Sequence, residues 1–189
     1  MVGRIEELQG ELYPGEASFA VGMPGPRAAE FRAGRTAARM ALERLGVNGC
    51  AIPVGERGEP IWPPGVVGSI SHSCGLCACA VAPSDLYLCL GVDVEGVSRI
   101  SRRLARRFLG EEGYPHLPAA LFSLRESFIK AFHRLRGELP PLRGIDVRFG
   151  GGRLWVEWGG IAMPGAVLWW GDLVLTLVAL ESDSFSRVS

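Results

Sequence analysis

The sequence predicts an α+β fold in which long helices are combined with antiparallel strands. Two long segments repeat apolar residues at helical spacing, and short alternating or continuously apolar runs elsewhere are typical of strands. The chain has 189 residues, 48% hydrophobic and 21% charged, the composition of a packed globular protein. Basic and acidic residues number 20 each, so the formal net charge of zero indicates neither a nucleic-acid nor a membrane partner.

Three segments have the features of helices. The first, residues 27–45, follows Pro26, is rich in alanine and ends at Gly46, a typical C-terminal stop. The second, residues 97–109, has one apolar stripe, and its other faces carry five arginines and no acidic residue. The third, residues 118–136, begins at a proline and is followed by a glycine.

The remaining regular segments have the patterns of strands. Residues 76–82 form a continuous apolar run, and residues 86–96 form a second strand that becomes polar at its end. We expect these two strands to pair as a hairpin. In the last third, runs on either side of residues 150–152 and of residues 171–172 predict two further antiparallel hairpins.

The chain shows no long linker, but helices and strands occur on both sides of residue 96. We therefore predict two halves, residues 1–96 and residues 97–189. The N-terminus has acids where a signal peptide needs a basic and then an apolar stretch, and no apolar run approaches the ~20 residues of a bilayer helix. Five cysteines, an odd number, argue against a secreted disulfide framework. A cytoplasmic protein is expected.

Four charged residues form the most informative group. Asp93 and Glu95 project to one face of a strand, and Glu126 and Lys130 lie four residues apart on a helix. Lys130 is the single lysine among the 20 basic residues, and an ammonium is not equivalent to a guanidinium. Adjacent carboxylates repel one another, and a bound Mg²⁺ would relieve that repulsion. The pattern leaves open the alternative of ordinary solvated surface charges.

A second group surrounds His72, which lies among the serines of residues 68–73. Protonated imidazole and hydroxyls can hold a phosphate, but on its own the pattern is more typical of a histidine that is satisfied by loop hydrogen bonds. Arg27 and Arg35 lie on one side of the first helix, either as phosphate ligands or as a solvated face. A zinc site is disfavoured by poor spacing in the group His72, Cys74, Cys77 and Cys79.

Taken together, these motifs resemble the Sfp-type 4′-phosphopantetheinyl transferases, in particular the branch that activates enterobactin synthetase. The motifs are R-x-x-E-F-x-x-G-R at 27–35, G-E-R-G-E-P-I-W-P at 55–63, G-V-V-G-S-I-S-H-S at 65–73, G-V-D-V-E at 91–95 and F-S-x-x-E-S-x-x-K at 122–130. Each motif alone is weak, whereas all of them in order are specific.

The resemblance implies a fold of two similar α+β halves in one chain, with the active site between them. It implies an enzyme that moves the 4′-phosphopantetheine arm of coenzyme A onto a serine of an apo carrier protein. The reaction would depend on Mg²⁺ and release adenosine 3′,5′-bisphosphate. The enzyme would act as a monomer and serve carriers of fatty-acid, polyketide, nonribosomal-peptide or siderophore synthesis.

The resemblance also implies roles for individual residues. Asp93, Glu95 and Glu126 are expected as Mg²⁺ ligands, with Glu126 also a candidate base, and Lys130 is expected at the pyrophosphate. Arg125 stands where the family usually has lysine, which keeps the charge on a longer, planar side chain. The expected coenzyme contacts are Arg27, Arg35, Gly58, Glu59, Pro60, Ser71, His72, Arg125 and Lys130. Within that set, His72 would meet the 3′-phosphate, and residues 58–60 would form the adenine-side wall.

The arginines of residues 97–109 are expected to attract an acidic carrier protein, unless they are simply a solvated face. They are Arg102, Arg103, Arg106 and Arg107. Two alternative functions use other chemistry. A non-enzymatic nucleic-acid-binding module would use the same arginines, although zero net charge and missing aromatic platforms count against it. A structural zinc protein would use the cysteines.

Overall fold

In a computed structural model, residues 1–99 and 117–185 are described. The strands are β1 (Val2–Arg4), β2 (Val66–Ser73), β3 (Leu76–Pro83), β4 (Tyr87–Gly96), β5 (Asp146–Gly150), β6 (Arg153–Trp158), β7 (Ile161–Trp170) and β8 (Leu173–Glu181). The α-helices are α1 (Pro14–Ala20), α2 (Gly25–Glu43), α3 (Leu117–Arg136) and α4 (Ser182–Phe185). Short 3₁₀ turns cover Val97–Arg99 and Leu142–Gly144.

These strands form two antiparallel sheets, and a long helix packs against each. The first sheet has the order β1-β3-β2 and contacts α2, and the second has the order β4-β8-β7-β6-β5 and contacts α3. The α+β prediction is therefore confirmed. The hairpins predicted around residues 150–152 and 171–172 are β5–β6 and β7–β8, and both are confirmed.

Both long helices with clear periodicity occur close to their predicted limits. The prediction of residues 27–45 corresponds to α2, and that of residues 118–136 corresponds to α3. Of the predicted helix over residues 97–109, the structure describes only the 3₁₀ turn Val97–Arg99, and the rest lies outside the described residues. In the described part of the chain, no helix has the length and apolar character needed to cross a membrane.

The hairpin predicted between residues 76–82 and 86–96 is wrong. Strand β3 pairs with β1 on one side and β2 on the other, and β4 pairs instead with β8. The turn between β2 and β3 consists of Cys74 and Gly75, both with positive φ, as in the tight turns that favour hairpins. Because this turn gives one edge of β3 to β2 and β1 takes the other, no edge is left for β4.

Strand β4 joins the two sheets. It hydrogen-bonds along β8, while its side chains Leu90, Val92 and Val94 pack with residues of β2 and β3. The predicted division at residue 96 assigned β4 to the N-terminal half, and that division stays a prediction. The position of β4 places its polar end between the two sheets and close to α3.

Gly91 allows β4 and α3 to approach each other closely. A Cβ at Gly91 would lie 1.9 Å from the carbonyl oxygen of Ser127, so any side chain there would push the helix away. Leu124, Phe128 and Ala131 of α3 also pack into the core of the second sheet. The close packing fixes where the polar residues of α3 lie relative to β4.

Candidate active site

Asp93 is the buried centre of the polar group on β4. Its side chain accepts hydrogen bonds from Ser71 Oγ at 2.7 Å and from Ser123 Oγ at 2.8 Å. Lys130 Nζ donates to Asp93 Oδ1 at 2.8 Å and to the Val92 carbonyl oxygen at 3.1 Å. Asp93 is only 6% exposed, so the alternative of a solvated surface charge does not apply to it.

Glu126 lies close enough to Asp93 and Lys130 for their charges to act on it. Burial raises the pKa of Glu126 above its usual value, Asp93 and Glu95 raise it further, and Lys130 opposes them. Strand alternation and helical spacing predicted two neighbouring pairs, and the family resemblance implied a shared site. The structure brings the four side chains into one electrostatic group. The shift reflects burial first and the neighbouring carboxylates second, and the group contains three carboxylates and one ammonium.

The three carboxylates supply oxygen ligands, the type that Mg²⁺ prefers. Glu95 Oε1 accepts hydrogen bonds from Ser73 Oγ at 3.0 Å and from the Gly96 amide at 2.8 Å. Within residues 1–99 and 117–185, no three His, Cys, Asp or Glu side chains are arranged to hold a metal ion. The donor chemistry and the excess charge fit a hard cation, while Lys130 is the cation that contacts Asp93 in this structure.

The cysteines do not have the character of zinc ligands. Cys77 and Cys79 are buried in β3, and burial raises the pKa of each thiol to about 12. Thiols with such values stay protonated at neutral pH, whereas zinc binds the thiolate. Cys74 is exposed at the β2–β3 turn.

A second polar group connects α2 to β2. Arg27 Nη1 lies 2.8 Å from His72 Nε2 and 3.3 Å from Glu30 Oε2, and His72 Nδ1 lies 3.5 Å from the same carboxylate. A guanidinium can only donate, so His72 Nε2 accepts and the imidazole is neutral with its proton on Nδ1. Burial lowers the pKa of His72, the Arg27 and Lys130 cations lower it further, and Glu30 raises it.

Arg35 and Arg125 occupy different surroundings from Arg27. Arg35 is buried, its Nε donates to the Ile52 carbonyl at 2.8 Å, and its guanidinium lies 4.3 Å from the centre of the Phe31 ring. Burial lowers the pKa of Arg35 to about 10. Arg125 is also buried, and its Nε donates to the Ile145 carbonyl at 2.8 Å. Phosphate contacts by these two arginines stay predictions.

A cleft of about 870 Å³ lies between the loop of residues 56–65 and the C-terminal part of α3. Its wall includes Gly58, Glu59 and Pro60, and Lys130 lines it from the helix. Trp62 also lines it, and a Cβ on Gly68 would lie 2.5 Å from Trp62 Cε2, so the absence of a side chain at residue 68 makes room for the indole.

Sequence reasoning missed several residues of this region. Arg57 extends from the loop to α3, where Nη1 lies 3.4 Å from His133 Nε2 and also donates to the Gly137 carbonyl oxygen. His133 lies three residues after Lys130, one helical turn along the same side of α3, and that spacing was a usable signal. Ser123 was also missed, although it belongs to the motif at residues 122–130.

Comparisons with known proteins agree with these motifs. Residues 17–82 match the 4′-phosphopantetheinyl transferase N-terminal domain. The 4′-phosphopantetheinyl transferase Svp of Streptomyces mobaraensis is 34% identical over 158 residues, which are 77% of this chain and 61% of that protein. The transferase Npt of Nocardia iowensis is 36% identical over 131 residues, 65% of this chain and 59% of that protein.

Enterobactin synthase component D of Salmonella typhi is 39% identical over 120 residues, 56% of this chain and 48% of that protein. The chain thus spans about half to three-fifths of the length of these relatives. Among solved structures, Thermotoga maritima holo-[acyl-carrier-protein] synthase aligns with a TM-score of 0.39 and 22% identity, over 51% of this chain and 64% of that one. By sequence, the chain is related to the 4′-phosphopantetheinyl transferases, with enterobactin synthase component D among its relatives.

Proposed function

We propose that this chain transfers the 4′-phosphopantetheine group of coenzyme A to a serine of an apo carrier protein. The observation that carries the proposal is the Asp93–Lys130 ion pair. Asp93 is buried, and Lys130 lines a cleft large enough for a nucleotide. The sequence relatives that are named 4′-phosphopantetheinyl transferases support the same reaction.

The chemistry uses the charges of the site directly. The serine oxygen forms a bond to the phosphorus that carries pantetheine, and the pyrophosphate P–O bond to adenosine 3′,5′-bisphosphate breaks. Phosphoryl transfer depends mainly on positioning and on neutralising charge, so an ammonium at Lys130 would stabilise the pyrophosphate oxygens. Glu126 would accept the serine proton, and its raised pKa makes it a stronger base than an ordinary carboxylate.

Asp93, Glu95 and Glu126 would hold the Mg²⁺ ion of this reaction. When bound, the ion would neutralise the pyrophosphate and the leaving bisphosphate. The proposal is supported by the oxygen-only donor set, and by the carboxylates of Asp93 and Glu95, which add to the effect of burial in raising the pKa of Glu126. Removal of divalent cations with a chelator is expected to abolish turnover, and added Mg²⁺ is expected to restore it.

The coenzyme would bind along the cleft and the Arg27–His72 pair. His72 and Arg27 would contact the 3′-phosphate, with Ser71 nearby on β2, and residues 58–60 would form the adenine-side wall. This placement of the coenzyme is supported by the 2.8 Å contact between Arg27 and His72 and by the position of residues 58–60 in the cleft. Lys130 lines the same cleft as residues 58–60, and its charge also acts on His72.

The carrier would be an acidic protein of the cytoplasm, and the chain would act as a monomer. Arg102, Arg103, Arg106 and Arg107 would attract it, although they lie outside the described residues. The relation to enterobactin synthase component D favours carriers of siderophore and nonribosomal-peptide synthesis.

The direct test is one incubation with coenzyme A, Mg²⁺ and a panel of apo carriers, followed by intact-mass measurement. We expect one carrier at least to gain the mass of a single phosphopantetheine group. The same carrier with its acceptor serine replaced by alanine should gain nothing. If every carrier keeps its apo mass with a folded enzyme, the proposal is wrong.

A further inference from the structure

Three buried hydroxyl groups form a chain behind Asp93. Ser123 Oγ lies 2.8 Å from Asp93 Oδ2 and 2.9 Å from Thr176 Oγ1. Thr176 Oγ1 in turn lies 2.7 Å from Ser127 Oγ. Ser123 and Ser127 are 0% exposed and Thr176 is 1% exposed, so water does not compete for these bonds.

The fold sets the positions of these hydroxyls. Thr176 of β8 is the cross-strand partner of Asp93 on β4, so both side chains project toward α3. Ser123 and Ser127 lie four residues apart on α3 and share one face of the helix. The close approach of β4 and α3 at Gly91 brings that face to the sheet.

The direction of every bond in the chain follows from donor counting. An ionised Asp93 can only accept, so Ser123 donates its single proton to Oδ2. Ser123 then accepts from Thr176, and Thr176, whose proton is used, accepts from Ser127. Ser127 Oγ also donates to the Thr176 carbonyl oxygen at 3.2 Å, so its proton is shared between that oxygen and Thr176 Oγ1. The protons of Thr176 and Ser123 therefore point toward Asp93.

The chain of hydroxyl groups acts on Asp93 Oδ2, the carboxylate oxygen that still has a lone pair available. Oδ1 accepts from both Ser71 and Lys130, whereas Ser123 is the donor to Oδ2 among the described contacts. A carboxylate oxygen has two lone pairs, so Oδ2 keeps one for a further partner. The position of Ser123 decides in which direction that lone pair points, and Thr176 holds Ser123.

We propose that Thr176, acting through Ser123, is a positioning residue that fixes the Asp93 carboxylate for cation binding. This inference rests on the proposed role of Asp93 as a Mg²⁺ ligand. Thr176 touches no reacting group itself. Hydrogen-bonded chains of this kind polarise each member, which strengthens the bond at the carboxylate end.

The test compares two substitutions at one position. Thr176→Val keeps the shape and removes the hydroxyl, while Thr176→Ser keeps the hydroxyl and removes a methyl group. With coenzyme A present, we titrate Mn²⁺ as the probe and follow free Mn²⁺ by electron paramagnetic resonance. Thr176→Val should weaken Mn²⁺ binding by about 10-fold, the usual scale for outer hydrogen-bond partners of metal ligands. Thr176→Ser should bind Mn²⁺ nearly as the wild type does.

Thr36→Val is the matched control, because the Thr36 hydroxyl on α2 donates to the Arg32 carbonyl oxygen and accepts from the Gly10 amide. It loses an equivalent hydroxyl and should leave Mn²⁺ binding unchanged. Ser123→Ala is the second variant in case Thr176→Val does not fold, and it should weaken Mn²⁺ binding similarly. Wild-type affinity in Thr176→Val or Ser123→Ala, or equal losses in Thr176→Ser and Thr176→Val, would overturn the inference.

The outcomes separate the two proposals. If the wild type modifies carriers and binds Mn²⁺ but the hydroxyl variants match it, only the positioning role fails. If the folded wild type neither binds Mn²⁺ nor modifies a carrier, the proposed function fails and the positioning role fails with it.

Discussion

Lys130 contributes an ammonium where every other basic residue of the chain is arginine. Its Nζ fits between Asp93 Oδ1 and the Val92 carbonyl oxygen, both within 3.1 Å. A compact three-donor group can serve two such acceptors and still face the cleft, whereas a planar guanidinium needs a wider space. The structure thus gives a physical reason for the single lysine.

Replacement of Lys130 by arginine is the sharpest test at this position. We expect Lys130→Arg to fold but to lose about 10²-fold or more in kcat, the scale of a misplaced transition-state donor. The measurement is steady-state carrier modification beside a thermal unfolding curve. Arg136→Lys, the reverse exchange at the end of α3 and outside the cleft lining, should keep turnover close to wild type. Normal kcat in Lys130→Arg would show that any cation suffices.

His72 should respond to phosphate binding. In the free protein the pKa of His72 is lowered chiefly by burial, so the folded state favours the neutral imidazole. The resulting stability is lost as the pH falls below the unfolded-state pKa of about 6.5. A phosphate dianion favours the protonated form, so coenzyme A should raise this pKa and bind more tightly as the pH falls from 7 to 6.

Nuclear magnetic resonance of the His72 ring during a pH titration measures the pKa with and without ligand. Coenzyme A lacking its 3′-phosphate is the matched ligand and should leave the pKa near its free value. An identical titration curve with both ligands would contradict the contact between His72 and the 3′-phosphate.

Periodicity in the sequence predicted the helices and hairpins but not the partners of each strand. Helices α2 and α3 and the hairpins β5–β6 and β7–β8 are local patterns, so adjacent residues determine them. The pairing of β4 with β8 joins segments about eighty residues apart. The error at β3 arose because a sequence does not show which strand edges are already occupied.

The loop of residues 56–65 and α3 form the two walls of the cleft, and Arg57 connects them. Arg57→Ala should release the loop from the helix and raise the KM for coenzyme A several-fold, with a smaller effect on kcat. A lost hydrogen bond of this kind contributes roughly 1 kcal/mol.

Initial rates at varied coenzyme A concentration measure both constants for Arg57→Ala. Arg4→Ala, which removes an exposed arginine paired with Glu6, is the control and should change neither. A fall in kcat with an unchanged KM would mean that the loop contact serves a later step than coenzyme binding.

The site forms where β2, β4 and α3, which are distant in sequence, meet in the folded molecule. Ser71 comes from β2, Asp93 from β4, and Ser123 and Lys130 from α3. The sequence predicted the charged members through their spacing and the family resemblance. It did not predict the hydroxyl chain, because serine and threonine are common in every environment and their contacts here cross between sheet and helix.

The distribution of charge over the molecule should affect how strongly it binds the carrier protein. The net charge is zero, so attraction of an acidic partner depends on a local patch, proposed at residues 102–107. Arg102→Glu with Arg106→Glu should raise the KM for the carrier and reduce its salt dependence near 0.1 M, where screening acts over ~10 Å.

Arg148→Glu with Arg153→Glu makes the same change in net charge on the β5–β6 hairpin and should leave the carrier KM unchanged. Equal effects of the two double variants would indicate a response to total charge and not to the patch.

The proposed function requires the pyrophosphate of coenzyme A to bind at the Asp93–Lys130 pair. A crystal structure with coenzyme A and Mg²⁺ tests it most directly. We predict the pyrophosphate beside Lys130, a cation bound by Asp93, Glu95 and Glu126, and the adenine against residues 58–60. Coenzyme A bound with its pyrophosphate away from Lys130 and from all three carboxylates would overturn the proposed function.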